Sequence, residues 1–205
     1  MPKDYLSAKS GLYPKVMCRS AISYSEMEFN DGFKKSDFSI PHQVLTDDLA
    51  LVVVYDSPHS TEVVNAEDYA RWELGFEEVL KSSIEQFEDC VVVFKPAEGH
   101  VYVSEMNDSY DATRLILTAA IRELKLPGLP IAFAPMRDKL LITGSEDPEG
   151  ILRVLSMAEE AADGPYPISG SAFRLEGDEW KAWMPSPENE SYNHFKLLNL
   201  RSRAG

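Results

Sequence analysis

The densest group of side chains that could perform chemistry lies in the run Asn107-Asp108-Ser109-Tyr110-Asp111-Ala112-Thr113-Arg114-Leu115. On a helical wheel, Arg114 is the one charge on a stripe that otherwise holds Tyr110, Leu117, Ile121 and Leu124. A partly desolvated guanidinium needs a carboxylate or several carbonyl groups beside it, because an unpaired buried charge is strongly destabilising. Asp111 lies within helical reach, and the fold could bring Asp138 close.

Two interpretations of this run remain open. In the first, a helix N-terminus presents acids, an amide and an arginine around a small pocket that binds a metal or an anion. The predicted ligand-binding residues are then Asn107, Asp108, Tyr110, Asp111, Arg114 and Asp138. In the second, Asp108 caps the helix and Asp111 pairs with Arg114 to fix the helix against the sheet. Caps and buried ion pairs are commoner than sites, so the pattern favours the second interpretation.

No complete catalytic or metal-binding pattern occurs elsewhere in the sequence. The four histidines lack a second histidine at metal-ligand spacing, and we expect each to be solvated or singly hydrogen-bonded. Cys18 and Cys90 are far apart and are interpreted as reduced thiols. Neither a Gly-x-Ser-x-Gly elbow nor a phosphate-binding Gly-x-x-x-x-Gly-Lys-Ser/Thr loop is present. We therefore predict no cofactor and no metal, and the catalytic residues of any enzyme stay unknown.

The elements that would position this run alternate between pairs of strands and helices. Short apolar runs predict strands, polar turns join them in pairs, and capping residues such as Asn65 and Asp147-Pro148 predict helix starts. The predicted strands cover residues 49–55, 61–64, 90–94, 101–104, 131–134, 139–143, 172–175 and 180–183. The predicted helices begin near residue 65, after Gly75, at residue 108 or 109 and at residue 148. Strands joined by short turns are usually antiparallel, so this order predicts an α+β fold, a mostly antiparallel sheet of repeated strand-strand-helix units with helices packed on it.

The length predicts a single domain over residues 1–205. Residues 1–45 show weak periodicity and are expected to be irregular. Residues 186–205 are polar and are interpreted as a tail or a docking helix over 192–200. Trp180 and Trp183 lie on opposite faces of one strand, so one of them is expected to face outward at a contact surface, which makes a homodimer reasonable.

The charge limits the classes of partner. The 34 acidic and 20 basic side chains give a net charge of −14, which repels nucleic-acid phosphates and anionic membranes. Residues 67–88 form a long acidic stretch, whereas Lys196, Arg201 and Arg203 lie in the tail. The sequence has neither a long apolar run nor a secretory pattern in its first twenty residues, so a cytoplasmic location is expected.

The segments 101–115 and 130–141 resemble the YtpQ-like bacterial family, a domain of unknown function. Its members carry a similar Tyr-Asp-Ala-Ser/Thr-Arg-Leu helix start, here at residues 110–115, and an Ala-Val-Pro-x-x-Asp turn between two strands, here at 133–138. The resemblance covers most of the chain from about Gly11 to Trp180. Ser109 stands where members often have glycine, and the family's longer N-terminal region is absent. The resemblance implies a bacterial cytoplasmic setting and an important 108–114 segment, but no substrate.

These observations favour a non-enzymatic, adaptor- or immunity-like protein whose acidic face binds a basic protein partner. The alternative is a metal- or phosphate-dependent enzyme or a small-ligand-binding domain centred on Asp108 to Arg114.

Overall fold

A computed structural model describes residues 1–33, 38–90, 92–189 and 191–204. The chain divides into two compact units, Met1–Val91 and Val92–Gly205. Each unit contains an antiparallel sheet with helices packed on it, which confirms the predicted α+β class. The single domain over residues 1–205 stays a prediction.

In the unit Met1–Val91, the residues that the structure describes form a sheet of four strands with helices around it. Its elements are α1 (Tyr5–Ala8), a 3₁₀ helix (Lys9–Gly11), β1 (Leu12–Cys18), α2 (Arg19–Phe33), β2 (Gln43–Val44), β3 (Leu49–Asp56), β4 (Thr61–Val63), α3 (Ala66–Trp72) and α4 (Phe76–Glu88). β3 is the central strand. It pairs with β1 on one side and with β2 and β4 on the other. Its first six residues are buried, as the continuous apolar run predicts.

Residues 1–45 are more regular than the sequence predicts. They contain β1, which pairs with β3 over its full length, and the 15-residue helix α2. The contacts that hold α2 link distant residues: the Glu26 carboxylate accepts from the Ile40 amide at 2.6 Å, and the Asn30 amide group bonds the Phe38 backbone at 3.0 and 3.1 Å. Such side-chain contacts leave no periodic signal in the sequence, which is why the pattern missed these elements.

The helix pair α3–α4 starts and stops where its polar residues predict. Asn65 forms a reciprocal capping box with Asp68, which satisfies free amides of the first turn of α3. α3 ends at Trp72, its C-cap Glu73 has a left-handed backbone with φ of 55°, and Gly75 precedes α4 as its N-cap. The predicted break between two helices is confirmed, but Gly75 begins the second helix rather than ending the first.

The described residues of the unit Val92–Gly205 form six strands and three α-helices. Its elements are β5 (Lys95–Pro96), β6 (Tyr102–Ser104), a 3₁₀ helix (Ala112–Ile116), α5 (Thr118–Arg122), β7 (Pro130–Met136), β8 (Lys139–Gly144), α6 (Pro148–Ala162), β9 (Ala172–Glu176), β10 (Glu179–Trp183) and α7 (Tyr192–Ala204). The strands lie in the order β10-β9-β7-β8-β6-β5, and every pair is antiparallel. α6 packs on β7 and β8, and α7 packs on α6.

The core of this unit joins the sheet to α6 and α7. Phe133 on β7 contacts Phe195 on α7 with ring centroids 5.4 Å apart, and Trp183 meets the same ring at 5.5 Å. The buried cluster consists of Val101, Val103, Ile131, Phe133, Leu141, Ile151, Val154, Leu155, Ala158, Ala172, Phe195 and Leu198. The segment 186–205, expected to be a tail or docking helix, therefore contributes core residues through α7.

Two elements of this unit differ from the prediction. The strand predicted over 90–94 is wrong in its described residues, because the strand begins at Lys95; Val91 lies outside the described residues. The long helix predicted from residue 108 or 109 to about 125 is replaced by the 3₁₀ helix and the short α5, separated at Leu117 by a non-helical ψ of 56°.

Neither tryptophan of β10 forms an exposed contact surface. Trp180 is buried, and its indole N–H donates to the Leu115 carbonyl at 2.9 Å. Trp183 is half-buried against Phe195. The outward-facing tryptophan expected from strand alternation is thus packed by α7, an element whose position the strand pattern does not reveal.

In the part of the chain that the structure describes, no helix is both long and apolar enough to cross a membrane.

Gly144 supplies a test of the packing beside β8. A Cβ atom at this position would lie 2.0 Å from the Pro127 carbonyl oxygen, so a side chain here forces the backbone apart. Gly144→Ser is expected to lower the free energy of unfolding by about 2 kcal/mol. Urea denaturation followed by tryptophan fluorescence measures the change.

Gly75→Ser is the matched control, because a Cβ there meets no atom within 4 Å. Serine at the N-cap of α4 can accept from a free helix amide, so stability should be unchanged or slightly raised. Equal losses for the two variants would contradict the close approach at Gly144.

Candidate functional site

The Asp111 carboxylate organises the loop between β6 and the second 3₁₀ helix. It is fully buried and accepts hydrogen bonds from the Ser104 hydroxyl at 2.6 Å and from the Met106 and Asn107 amides, each at 2.8 Å. A carboxylate away from water is stable only with such donors around it. Asp111 thus ties the end of β6 to the start of the 3₁₀ helix.

Arg114 is enclosed between two carboxylates. Its Nη1 donates to Asp108 Oδ1 at 3.0 Å and lies 3.2 Å from Asp111 Oδ1, and its Nη2 bonds Asp108 Oδ2. The side chain of Arg114 is 3% exposed, that of Asp111 0% and that of Asp108 40%. Arg114, the one charge on the apolar stripe, was expected to need a carboxylate beside it, and the structure provides two.

Asp108 is the only one of these two carboxylates that reaches solvent, and it also accepts from the Tyr110 amide at 2.9 Å. Partial burial raises the pKa of the Asp108 carboxyl, but the hydrogen bond from Arg114, the Tyr110 amide and the guanidinium charge outweigh it and hold the pKa below its usual value. Asp108 binds the residues that follow it as an N-cap does, although the regular helix begins only at Ala112.

The loop backbone adopts two left-handed conformations. Asn107 has φ of 58° and Ser109 has φ of 70°. The Asn107 side chain donates to the Glu105 carbonyl at 3.3 Å, a local bond of the kind that lets asparagine occupy this region. At Ser109 this conformation is one that glycine adopts more readily than serine.

Of the six predicted site residues, the structure brings together Asn107, Asp108, Tyr110, Asp111 and Arg114. Tyr110 is buried, and the backbone of Asn107 faces Asp111. The structure gives Asp138 a different partner. Its carboxylate binds the Arg137 guanidinium at 2.9 Å, and this bond raises the pKa of Arg137.

The turn that holds Asp138 nevertheless adjoins the loop, because the Arg137 carbonyl accepts from the Ala112 amide at 3.0 Å. The Arg137 guanidinium lies over the Tyr166 ring, 3.9 Å from its centroid. Arg137 and Asp138 thus form their contacts at this turn, with each other and with Tyr166. Asp138 therefore belongs to a neighbouring contact and not to the Arg114 cluster.

Sequence reasoning missed Ser104, whose buried hydroxyl makes a short bond to Asp111. It also missed the surface ion pair between Lys139 and Glu105, at 3.0 Å, beside the same loop. Ser104 is the last residue of β6 and follows apolar residues, and this polar position is the one sequence signal that points to it. The assembled cluster satisfies its buried charges internally, as a structural ion pair does.

A second polar cluster lines an open groove between α6 and α7. Its volume is about 350 Å³, and its lining residues are Leu152, Leu155, Ser156, Glu159, Ser191 and His194. His194 Nδ1 lies 3.3 Å from Glu159 Oε1. His42 and His100 have single partners of their own, the Ile40 carbonyl and the Asp147 carboxylate. Within the described residues, no three or more His, Cys, Asp or Glu side chains are grouped so that they could hold a metal ion.

Comparison of the chain with protein-family models, with curated proteins and with solved structures finds no match. The resemblance to the YtpQ-like family therefore stays a prediction.

The buried position of Asp111 gives a test that separates the two interpretations. Asp111→Asn places an NH₂ group or a neutral oxygen among donors and removes a charge beside Arg114, so the free energy of unfolding should fall by about 3 kcal/mol. Urea denaturation measures the loss.

Asp108→Asn is the matched control, since it removes a partner of the same guanidinium from a position that solvent reaches. The expected loss is below about 1 kcal/mol, because Arg114 keeps Asp111 and water screens the pair. An Asp111→Asn protein as stable as the parent would argue for an open site.

Asp108 also predicts a pH dependence. Its pKa is lowered in the folded state, so the unfolded chain binds more protons, and the pair contributes fully above the ordinary aspartate pKa of about 4. The contribution is lost as the pH falls through the lowered folded-state pKa. The stability difference between the parent and Asp108→Asn should be constant from pH 5 to 7, roughly, and shrink below about pH 4. A difference that grows on acidification would contradict the lowered pKa.

Proposed function

We propose that this chain is a non-enzymatic binding module whose acidic surface engages a basic protein partner. The supporting observation is the exposed face of α3 and α4. The proposal places the protein in the bacterial cytoplasm and in the YtpQ-like family, on the resemblance carried by residues 101–115 and 130–141.

The acidic excess belongs mainly to one unit. Met1–Val91 holds 17 of the 34 acidic residues but only eight of the 20 basic ones. An uneven charge distribution produces a stronger local potential than the same charge spread evenly, and such a potential steers an oppositely charged partner.

We name as the acidic face five exposed acids at the end of α3 and on α4: Glu73, Glu77, Glu78, Glu85 and Glu88. α4 is amphipathic, with Val79, Leu80 and Phe87 buried on its other side. The apolar side packs on β1 and β3, so the carboxylates point away from the sheet.

Little within the helices neutralises the acidic face. Lys81 lies 4.0 Å from Glu85, and both side chains are more than half exposed, so this pair contributes little. Arg71 is engaged by the buried Asp68 and by the Pro2 carbonyl. Lysine and arginine side chains of a partner could therefore approach several carboxylates at once.

The alternative function, an enzyme or ligand-binding domain at Asp108–Arg114, has less support. The oxygens of Asp111 are occupied by loop donors, and the Arg114 guanidinium is enclosed by the two carboxylates. A metal or phosphate would have to displace contacts that satisfy buried groups, at a cost comparable to breaking a buried ion pair.

The acidic face can be tested by neutralising three of its carboxylates, Glu73→Gln, Glu85→Gln and Glu88→Gln together. The immobilised chain should capture basic proteins from a bacterial lysate, and salt should elute them. At an ionic strength of about 0.15 M, the triple variant should retain about fivefold less of the same proteins, because three lost charge pairs of about 0.3 kcal/mol each total about 0.9 kcal/mol.

The control variant removes three exposed carboxylates elsewhere, with Glu123→Gln, Glu146→Gln and Glu179→Gln. It makes the same change in net charge and should retain the captured proteins. Equal losses from both variants would reduce the interaction to net charge, and the absence of any salt-eluted protein would overturn the proposal.

A further inference from the structure

The groove between α6 and α7 joins an apolar floor to a carboxylate. Leu152 is 43% exposed and Leu155 lies buried beneath it, while Glu159 and His194 form the polar wall. Ser156 and Ser191 add hydroxyl groups. A complementary surface would bring aliphatic side chains to the leucines and a cation to Glu159.

α7 itself presents such a surface. Leu197 is 59% exposed and Leu200 is 54% exposed, although both lie in a helix whose Phe195 and Leu198 are in the core. Leu197 follows His194 by three residues and Leu200 follows Leu197 by three, so each is the helical neighbour of the one before, and the row turns from the groove toward the outer side of α7. Lys196, which is also exposed, adds a positive charge beside Leu197.

We propose that a second copy of this chain covers the groove, with Leu197, Leu200 and Lys196 of each copy packed on the leucines and Glu159 of the other. The arrangement is self-complementary, because each copy carries both the groove and the surface that fills it. A twofold dimer uses the same patch on both subunits in this way. The leucines of one copy cover Leu152 of the other, and Lys196 of one copy pairs with the Glu159 carboxylate in the groove of the other.

The size of the patch sets the strength of the dimer. Each copy contributes three half-exposed leucines, Leu152, Leu197 and Leu200. A standard stable interface buries about 20 residues on each side, which is far more. The dimer is therefore weak and reversible, with a Kd of about 10 µM. This surface is separate from the acidic face, and the dimer does not depend on the proposed basic partner.

The proposal is tested by sedimentation equilibrium at protein concentrations that span a hundredfold range centred on about 10 µM. The average mass should rise from the 23.0 kDa of the monomer toward twice that value. Leu197→Glu should raise the Kd at least tenfold, roughly, because it places a carboxylate against leucines and Glu159. Leu6→Glu is the control, with the same change at a leucine that is 82% exposed in Met1–Val91.

A charge exchange tests the contact between copies. Lys196→Glu and Glu159→Lys should each weaken the dimer, and the two changes in one chain should restore it, since the ion pair is then re-formed with reversed charges. A constant mass of 23.0 kDa overturns the proposal. A dimer that Leu197→Glu and Leu6→Glu affect equally overturns it as well, because the contact then lies elsewhere. Neither outcome bears on the capture of basic proteins by the acidic face.

Discussion

The buried Asp111 carboxylate is the constraint on which the centre of the Val92–Gly205 unit depends. A charged group with no exposure must receive hydrogen bonds in place of water, and here the donors are one hydroxyl and two backbone amides. To aim the Met106 and Asn107 amides at one carboxylate, the chain has to turn sharply. The left-handed conformations of Asn107 and Ser109 lie in this turn. The regular helical conformation can therefore begin only after Asp111.

Arg114 completes this arrangement, because it places a positive charge where two carboxylates approach each other. Without it, Asp111 would be an uncompensated charge and Asp108 would lie near a second anion. The position of Asp108 differs in one respect, since solvent reaches its carboxylate. Water screens the contact of Arg114 with Asp108 but not its contact with Asp111. The two ion pairs of one guanidinium therefore differ in strength.

The sequence predicted those features that depend on neighbouring residues. The apolar run of β3, the helix cap at Asn65 and the Asp147-Pro148 start of α6 are local signals, and the structure confirms each of them. The pairing of Arg114 with Asp111 could also be predicted, because the two residues are three positions apart. The irregular interpretation of residues 1–45 and the long helix after residue 108 failed for a common reason. In both places the conformation is determined by contacts with residues in other elements, such as Glu26 with Ile40 and Asp111 with the β6 end.

The two proposed surfaces make different demands on the charge of the chain. A surface that binds a basic partner gains from a high negative charge, whereas self-association requires that copies of the same sign approach closely. The groove lies in Val92–Gly205, which holds 17 acidic and 12 basic residues, so its own charge is the smaller share of the −14. At physiological ionic strength, exposed charges act over about 8 Å, so the residues nearest the contact dominate the repulsion. Lys196 beside the exposed leucines reduces that local repulsion, and it is the feature that makes a second copy a better occupant of the groove than an uncharged apolar peptide.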